Sequence, residues 1–147
     1  MARINSRAKG QAGEREVIDL LQPVLDAVFK SFKASPPFLQ RNQLQSHKGG
    51  QDLAGFEWFS FEVKRTEKED LPKHWKQCVT QAKAGQIPVL IHRRNRQTWA
   101  VRFVAFVATN GGGFQTEMVL DCPLSCWLDW FKAEVSEMLE SGRKLTT

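Results

Sequence analysis

Between Trp58 and Arg65 the chain alternates. Phe59, Phe61 and Val63 fall on one side of an extended strand, and Glu62 and Lys64 fall on the other. A strand patterned this way demands a core on one face only. Its second face must carry a carboxylate and an amine whose bases stand roughly 6–7 Å apart. Any fold for this chain has to bury three large apolar groups and still find a use for that acid and that base.

The elements around the strand can be read from periodicity and breakers. From about Gly13 to Lys33, Val17, Ile18, Leu20, Leu21, Val24, Leu25, Val28, Phe29 and Phe32 recur at helical spacing, with Pro23 expected to kink or split the helix. Ser35-Pro36-Pro37 ends it. Phe38 to Ser46 reads as a first strand, His47 to Gln51 as a Gly-rich turn, and Leu53 to Glu57 as a strand that forms a hairpin with the Trp58–Arg65 strand. Pro72 to Ala84 reads as a helix closed by Gly85. Ile87 to His92 and Thr98 to Val107 read as strands joined through Arg93-Arg94-Asn95-Arg96. Gly111-Gly112-Gly113 forms a turn before a short strand, Gln115 to Leu120. Leu124, Trp127, Leu128, Phe131, Val135 and Met138 draw one stripe along a last helix. Trp130 falls off that stripe and is a candidate for a partner-facing residue. The order predicts an α/β fold with a mixed central sheet, built as one domain over residues 1–147. Residues 1–11 are read as a basic, mobile arm, and residues 107–147 as a C-terminal extension.

Composition narrows the class. With 41% hydrophobic residues the chain can form a core and is not disordered. It holds no run of 18 apolar residues that would cross a membrane, and its polar N-terminus lacks the apolar stretch of a secretory signal. Cys78, Cys122 and Cys126 are an odd set without such a signal, which fits reduced thiols in a cytoplasm. Cys122 and Cys126 lack the further ligands of a zinc site and are expected to be small buried side chains. The net charge is +5, but it is unevenly placed. Residues 1–102 carry 18 Lys and Arg against 10 acids, and residues 103–147 carry 3 against 6. The basic field therefore surrounds the alternating strand and favours a polyanionic partner.

The sequence Gly49-Gly50-Gln51-Asp52 precedes Phe61-Glu62-Val63-Lys64 across the expected hairpin. Two carboxylates that can share a divalent cation, beside an ammonium group, are the parts metal-assisted phosphodiester hydrolysis requires. Taken singly, each residue has an ordinary reading. Asp52 could cap a turn, Glu62 and Lys64 could be a surface ion pair, and Glu14 could complement a helix dipole. It is their joint order that points to a site.

That order resembles the PD-(D/E)XK nuclease superfamily. Asp52 matches its Asp and Glu62-Val63-Lys64 its E-x-K, with Gln51 where the family name has Pro. Gly10-Gln11-Ala12-Gly13-Glu14-Arg15-Glu16 resembles the opening of the first helix in cellular and archaeal Holliday-junction resolvases. The phage junction resolvases are similar in their Asp-to-Glu spacing. The similarity runs from about Lys9 to about Trp99. It implies a restriction-endonuclease-like fold, with a central mixed sheet flanked by helices and here a C-terminal amphipathic helix. It further implies a Mg²⁺-dependent, structure-selective endonuclease, with Mn²⁺ able to substitute, acting on branched or four-way DNA. Two symmetric nicks imply a homodimer. The setting would be the cytoplasm of a bacterial, archaeal or phage-infected cell. Asp52, Glu62 and the Val63 carbonyl are the implied metal ligands. Glu14 would complete the site or hold a second cation, and the Gly-x-x-x-Glu spacing favours it over Glu16. Lys64 would orient water or stabilise the phosphate, and Gln81 would lie near the site. Arg3, Arg7, Lys9, Arg15, His47, Lys48, Arg65, Lys76, Arg93 and Arg94 are candidate DNA contacts. The competing readings are another repair, replication or restriction-like nuclease, and a non-catalytic DNA-binding protein on the same fold.

Overall fold

Apolar residues spaced three and four apart build the first helix, α1 (Ser6–Ser31), and bury Val17, Leu21, Leu25 and Val28 along one side. The computed structural model describes residues 6–42, 51–108 and 115–142. Within them α1 begins earlier than its apolar stripe. Residues 6–11, expected in a mobile arm, form its first turns, because a helix already nucleated extends at one backbone hydrogen bond per added residue. Residues 1–5 lie outside the described residues. Pro23 sits inside α1 and does not split it.

Two short strands follow, β1 (Gln40–Arg41) and β2 (Leu53–Ala54), paired antiparallel. The sequence suggested longer strands, Phe38 to Ser46 and Leu53 to Glu57. β2 stops early because Gly55 turns the chain at a φ of +104°, and a Cβ there would lie 2.0 Å from the Phe38 carbonyl oxygen. Only glycine fits this crossing. Gly55→Ala is expected to destabilise the fold by about 2 kcal/mol or more, combining left-handed strain with a backbone clash. A denaturant midpoint unchanged from the parent protein would refute it.

The main sheet runs in the order β3 (Phe59–Thr66), β4 (Ile87–Arg94), β5 (Ala100–Ala108), β6 (Gln115–Pro123). β3 and β4 are parallel and are joined through α2 (Leu71–Gln81). The other two pairings are antiparallel, so the sheet is mixed. Asp70 caps α2, its carboxylate accepting from the Lys73 amide at 3.3 Å. The helix ends at an extended Ala82, not at Gly85 as expected, and Gly85 serves the turn that follows.

The last helix, α3 (Leu124–Glu140), lies with α1 on the face that carries Phe61, Val63, Val89, Ile91, Val101 and Phe103. Its Phe131 ring is 5.2 Å from Phe59 and 4.7 Å from Trp127. Trp130, off the predicted stripe, turns toward the sheet of its own chain. It packs 4.6 Å from Phe103 and is partly buried. The stripe is wide enough to draw it in. Cys126 is exposed and Cys122 half-buried, against the expectation that both are buried. α2 covers the opposite face of β3 and β4, with Cys78 buried beneath it.

Candidate active site

The buried apolar face of β3 fixes where its second face must point. Glu62 is 1% exposed, and its Oε1 lies 2.9 Å from Lys64 Nζ. The pair stands side by side, as alternation requires. Asp52 enters from the chain just before β2. Its amide donates to the Phe61 carbonyl at 2.8 Å, and its Oδ2 accepts from the Val63 amide at 2.7 Å. Asp52 is thus held against the strand segment that carries Glu62 and Lys64. The Asn42 amide donates to the Asp52 carbonyl at 2.9 Å, and Asn42 Nδ2 donates to the Gln51 carbonyl at 2.9 Å. These bonds pin the peptide on both sides of the acid.

α1 supplies the opposite wall. It crosses β3 closely at Gly13, where a Cβ would meet Arg65 Cβ at 3.3 Å. That approach brings Glu14 over the strand. A cleft of about 470 Å³ opens between the elements, lined by Lys9, Glu14, Asp52, Val63, Lys64, Arg65 and Glu67 but not by the buried Glu62. Glu16 turns elsewhere. It accepts from Trp99 Nε1 at 2.6 Å and pairs with Arg93 at 3.3 Å. The three acids Glu14, Asp52 and Glu62 interact through their charges. Burial first, then the Asp52 charge, pushes Glu62 up from its ordinary 4.5 to about 7, with Lys64 opposing and Glu14 adding to the rise.

This coupling sets a pH dependence. The folded protein keeps the Glu62 proton up to about pH 7, while the unfolded chain releases it near 4.5. Between those values the folded state binds more protons, so stability falls as pH rises through the window. In chelator, the Tm is expected to drop between about pH 5 and pH 7.5 more in the parent than in Glu62→Gln. Matching pH profiles in thermal melts of the two proteins would refute it.

The other candidates are scattered. Arg7 and Arg15 are exposed on α1, and Lys76 is exposed on α2. Gln81 is the last residue of α2 and does not line the cleft. Arg93 stacks on Trp99, its guanidinium carbon 4.9 Å from the ring centroid, and Arg94 lies 3.9 Å from Glu69. Arg3, His47 and Lys48 lie outside the described residues. Two features had no sequence signal. Arg41 of β1 donates from Nε to Glu14 Oε2 at 2.6 Å, across 27 positions of sequence. His92 of β4, next to Lys64 in the sheet, contacts Glu69 and so ties down the loop before α2. Cys78 offers no nucleophile, because burial pushes its thiol up to about 12.

The fit to a metal can be judged from the donors. Asp52, Glu62 and the Val63 carbonyl are all oxygen donors, the set preferred by hard divalent cations. The two acids raise the cost of each other's ionisation, a cost that a cation relieves. Among the described residues no group of three His, Cys, Asp or Glu side chains is already gathered as a metal cluster. The residues fit a cation held by two carboxylates and a carbonyl.

A mixed sheet flanked by helices, with Asp52 held against the strand that carries Glu62 and Lys64, has the fold and motif order of the PD-(D/E)XK nuclease superfamily. The model of one family, described as "Phage putative PDDEXK endonuclease", matches residues 5–110, and the chain belongs to that family. Nucleases of this class generally depend on a divalent metal and bind DNA. No curated protein and no solved structure matches the chain. No helix among the described residues is long and apolar enough to cross a membrane.

Proposed function

We propose that this protein is a Mg²⁺-dependent endonuclease that cuts branched DNA, with four-way junctions as its preferred substrate and a homodimer as its active form. The observation that carries the nuclease reading is the lock between Asp52 and the Val63 amide. It holds a carboxylate against the strand segment of Glu62 and Lys64, beside a cleft that Lys9, Lys64 and Arg65 line together with Glu14 and Glu67. The preference for junctions rests on the Gly10-to-Arg15 segment at the start of α1 and on the need for paired nicks.

Asp52, Glu62 and the Val63 carbonyl would hold the ion, and Mn²⁺ would replace Mg²⁺ on the same oxygens. A bound divalent ion supplies Lewis-acid stabilisation of phosphate charge and lowers the pKa of water. Lys64 holds Glu62 in place and presents its ammonium to the cleft, where it orients water or meets phosphate charge. Lys9 and Arg65 line the walls and attract the backbone, with Arg7 and Arg15 extending the basic track along α1. Reduced thiols at Cys78, Cys122 and Cys126 suit a cytoplasmic setting.

The test is cleavage of a synthetic four-way junction beside a linear duplex of the same sequence, in Mg²⁺ and in chelator. Paired symmetric nicks in the junction alone are expected. Equal cutting of both substrates would remove the junction preference and leave a general nuclease. No cutting of either would favour a DNA-binding role.

A further inference from the structure

Glu14 enters the cleft with its charge already met. Arg41 Nε donates to Glu14 Oε2 at 2.6 Å, and the two side chains are only 22% and 14% exposed. A guanidinium bonded at this distance places a fixed positive charge on the Glu14 carboxylate. β1 brings Arg41 there. Gln40 and Arg41 pair with Ala54 and Leu53, and the next residue, Asn42, clamps the Asp52 peptide. One short segment therefore sets Asp52 and supplies a cation to Glu14. A second divalent ion at Glu14 would have to displace or oppose that guanidinium at contact distance. The terminal nitrogens of Arg41 have no hydrogen bond among the described residues. A guanidinium fixed at Nε, its terminal nitrogens unbonded among the described residues, suits a phosphate.

We propose that Arg41 takes the place of a second metal ion: the centre binds one divalent cation, on Asp52, Glu62 and the Val63 carbonyl, and Arg41, oriented by Glu14, contacts the DNA phosphate. This rests on the nuclease reading above. Glu14 then acts through Arg41 as a positioning residue.

The test counts Mn²⁺ by electron paramagnetic resonance titration of the full chain and measures DNA affinity against salt. The parent protein is expected to bind one Mn²⁺. Asp52→Asn is expected to weaken it by about a hundredfold or more, and Glu14→Gln, which removes no ligand, by less than about threefold, below the roughly 10–100-fold that loss of an outer-shell partner costs. Arg41→Gln is expected to reduce the slope of log K against log[salt] by about 0.9, the loss of one phosphate contact. If Arg41→Gln does not fold, the parent stoichiometry and the Glu14→Gln affinity still decide. Two Mn²⁺ ions in the parent, Glu14→Gln as damaging as Asp52→Asn, or an unchanged salt slope would each overturn the proposal and leave the nuclease reading standing. No Mn²⁺ bound by the parent would overturn both.

Discussion

Asp52→Asn is expected to leave a folded protein whose DNA cleavage falls by about a thousandfold, as the loss of about 4 kcal/mol of metal-borne charge stabilisation requires. The substitution isolates charge from shape. Asp52 Oδ2 accepts from the Val63 amide at 2.7 Å, and an asparagine carbonyl can accept the same bond. The amide of residue 52 still donates to the Phe61 carbonyl, so the join between β2 and β3 persists. What disappears is one of the two negative charges a cation needs. A second readout follows without activity. The Asp52 charge is the second cause of the raised Glu62 pKa, so Asn at position 52 lets Glu62 ionise at lower pH. The stability lost between about pH 5 and 7.5 in chelator should shrink in the variant. Single-turnover cleavage within about tenfold of the parent, with the pH profile unchanged, would show that Asp52 holds no ion.

The parts of the site written into short-range pattern were legible. Alternation in β3 gave the shared face of Glu62 and Lys64, since side chains two apart on a strand cannot point otherwise. Spacing favoured Glu14 over Glu16, and the fold sends Glu14 to the cleft and Glu16 to Trp99 and Arg93. The α3 stripe predicted its buried residues from Leu124 to Met138. What escaped was set by partners distant in sequence. Nothing near Arg41 foretells a carboxylate 27 residues away, and nothing near His92 foretells Glu69. β2 looked longer than it is because propensity does not register the Phe38 carbonyl crossing at Gly55. The start of α1 was missed because polar, basic residues without an apolar stripe carry no periodic signal, yet an adjoining helix extends through them. The packing of Trp130 escaped for the opposite reason. A stripe drawn on a helical wheel is narrower than the surface a sheet of large rings covers.

Phe131→Ala is expected to destabilise the protein by about 3–5 kcal/mol, a large share of the 5–15 kcal/mol that holds a typical domain together. Phe131 is fully buried. Its ring meets Phe59 at 5.2 Å, Phe61 at 6.3 Å, Phe56 at 6.3 Å and Trp127 at 4.7 Å. Phe59 and Phe61, fixed in β3, and Trp127, fixed in α3, cannot fully collapse into the space that alanine leaves, so the cavity term adds to the lost transfer energy. The position also carries a meaning for the site. The family match ends at residue 110, yet α3 lies beyond it and covers the apolar side of β3. Phe59 and Phe61 face Phe131, while Glu62 and Lys64 face the opposite way from the same strand. The C-terminal helix therefore holds the strand that presents the acid and the amine, and loosening one face loosens the other. Chemical denaturation should show the midpoint reduced with its slope unchanged, and Phe131→Leu should lose less than about 1.5 kcal/mol because most of the volume is kept. Cleavage by Phe131→Ala should fail at a lower temperature than in the parent, in step with its unfolding. A loss of stability under about 1 kcal/mol would mean that α3 is a dispensable cover. In that case a chain ending near residue 110 should fold alone and keep its Mn²⁺ affinity. A core closed by Phe131 requires that such a chain do neither.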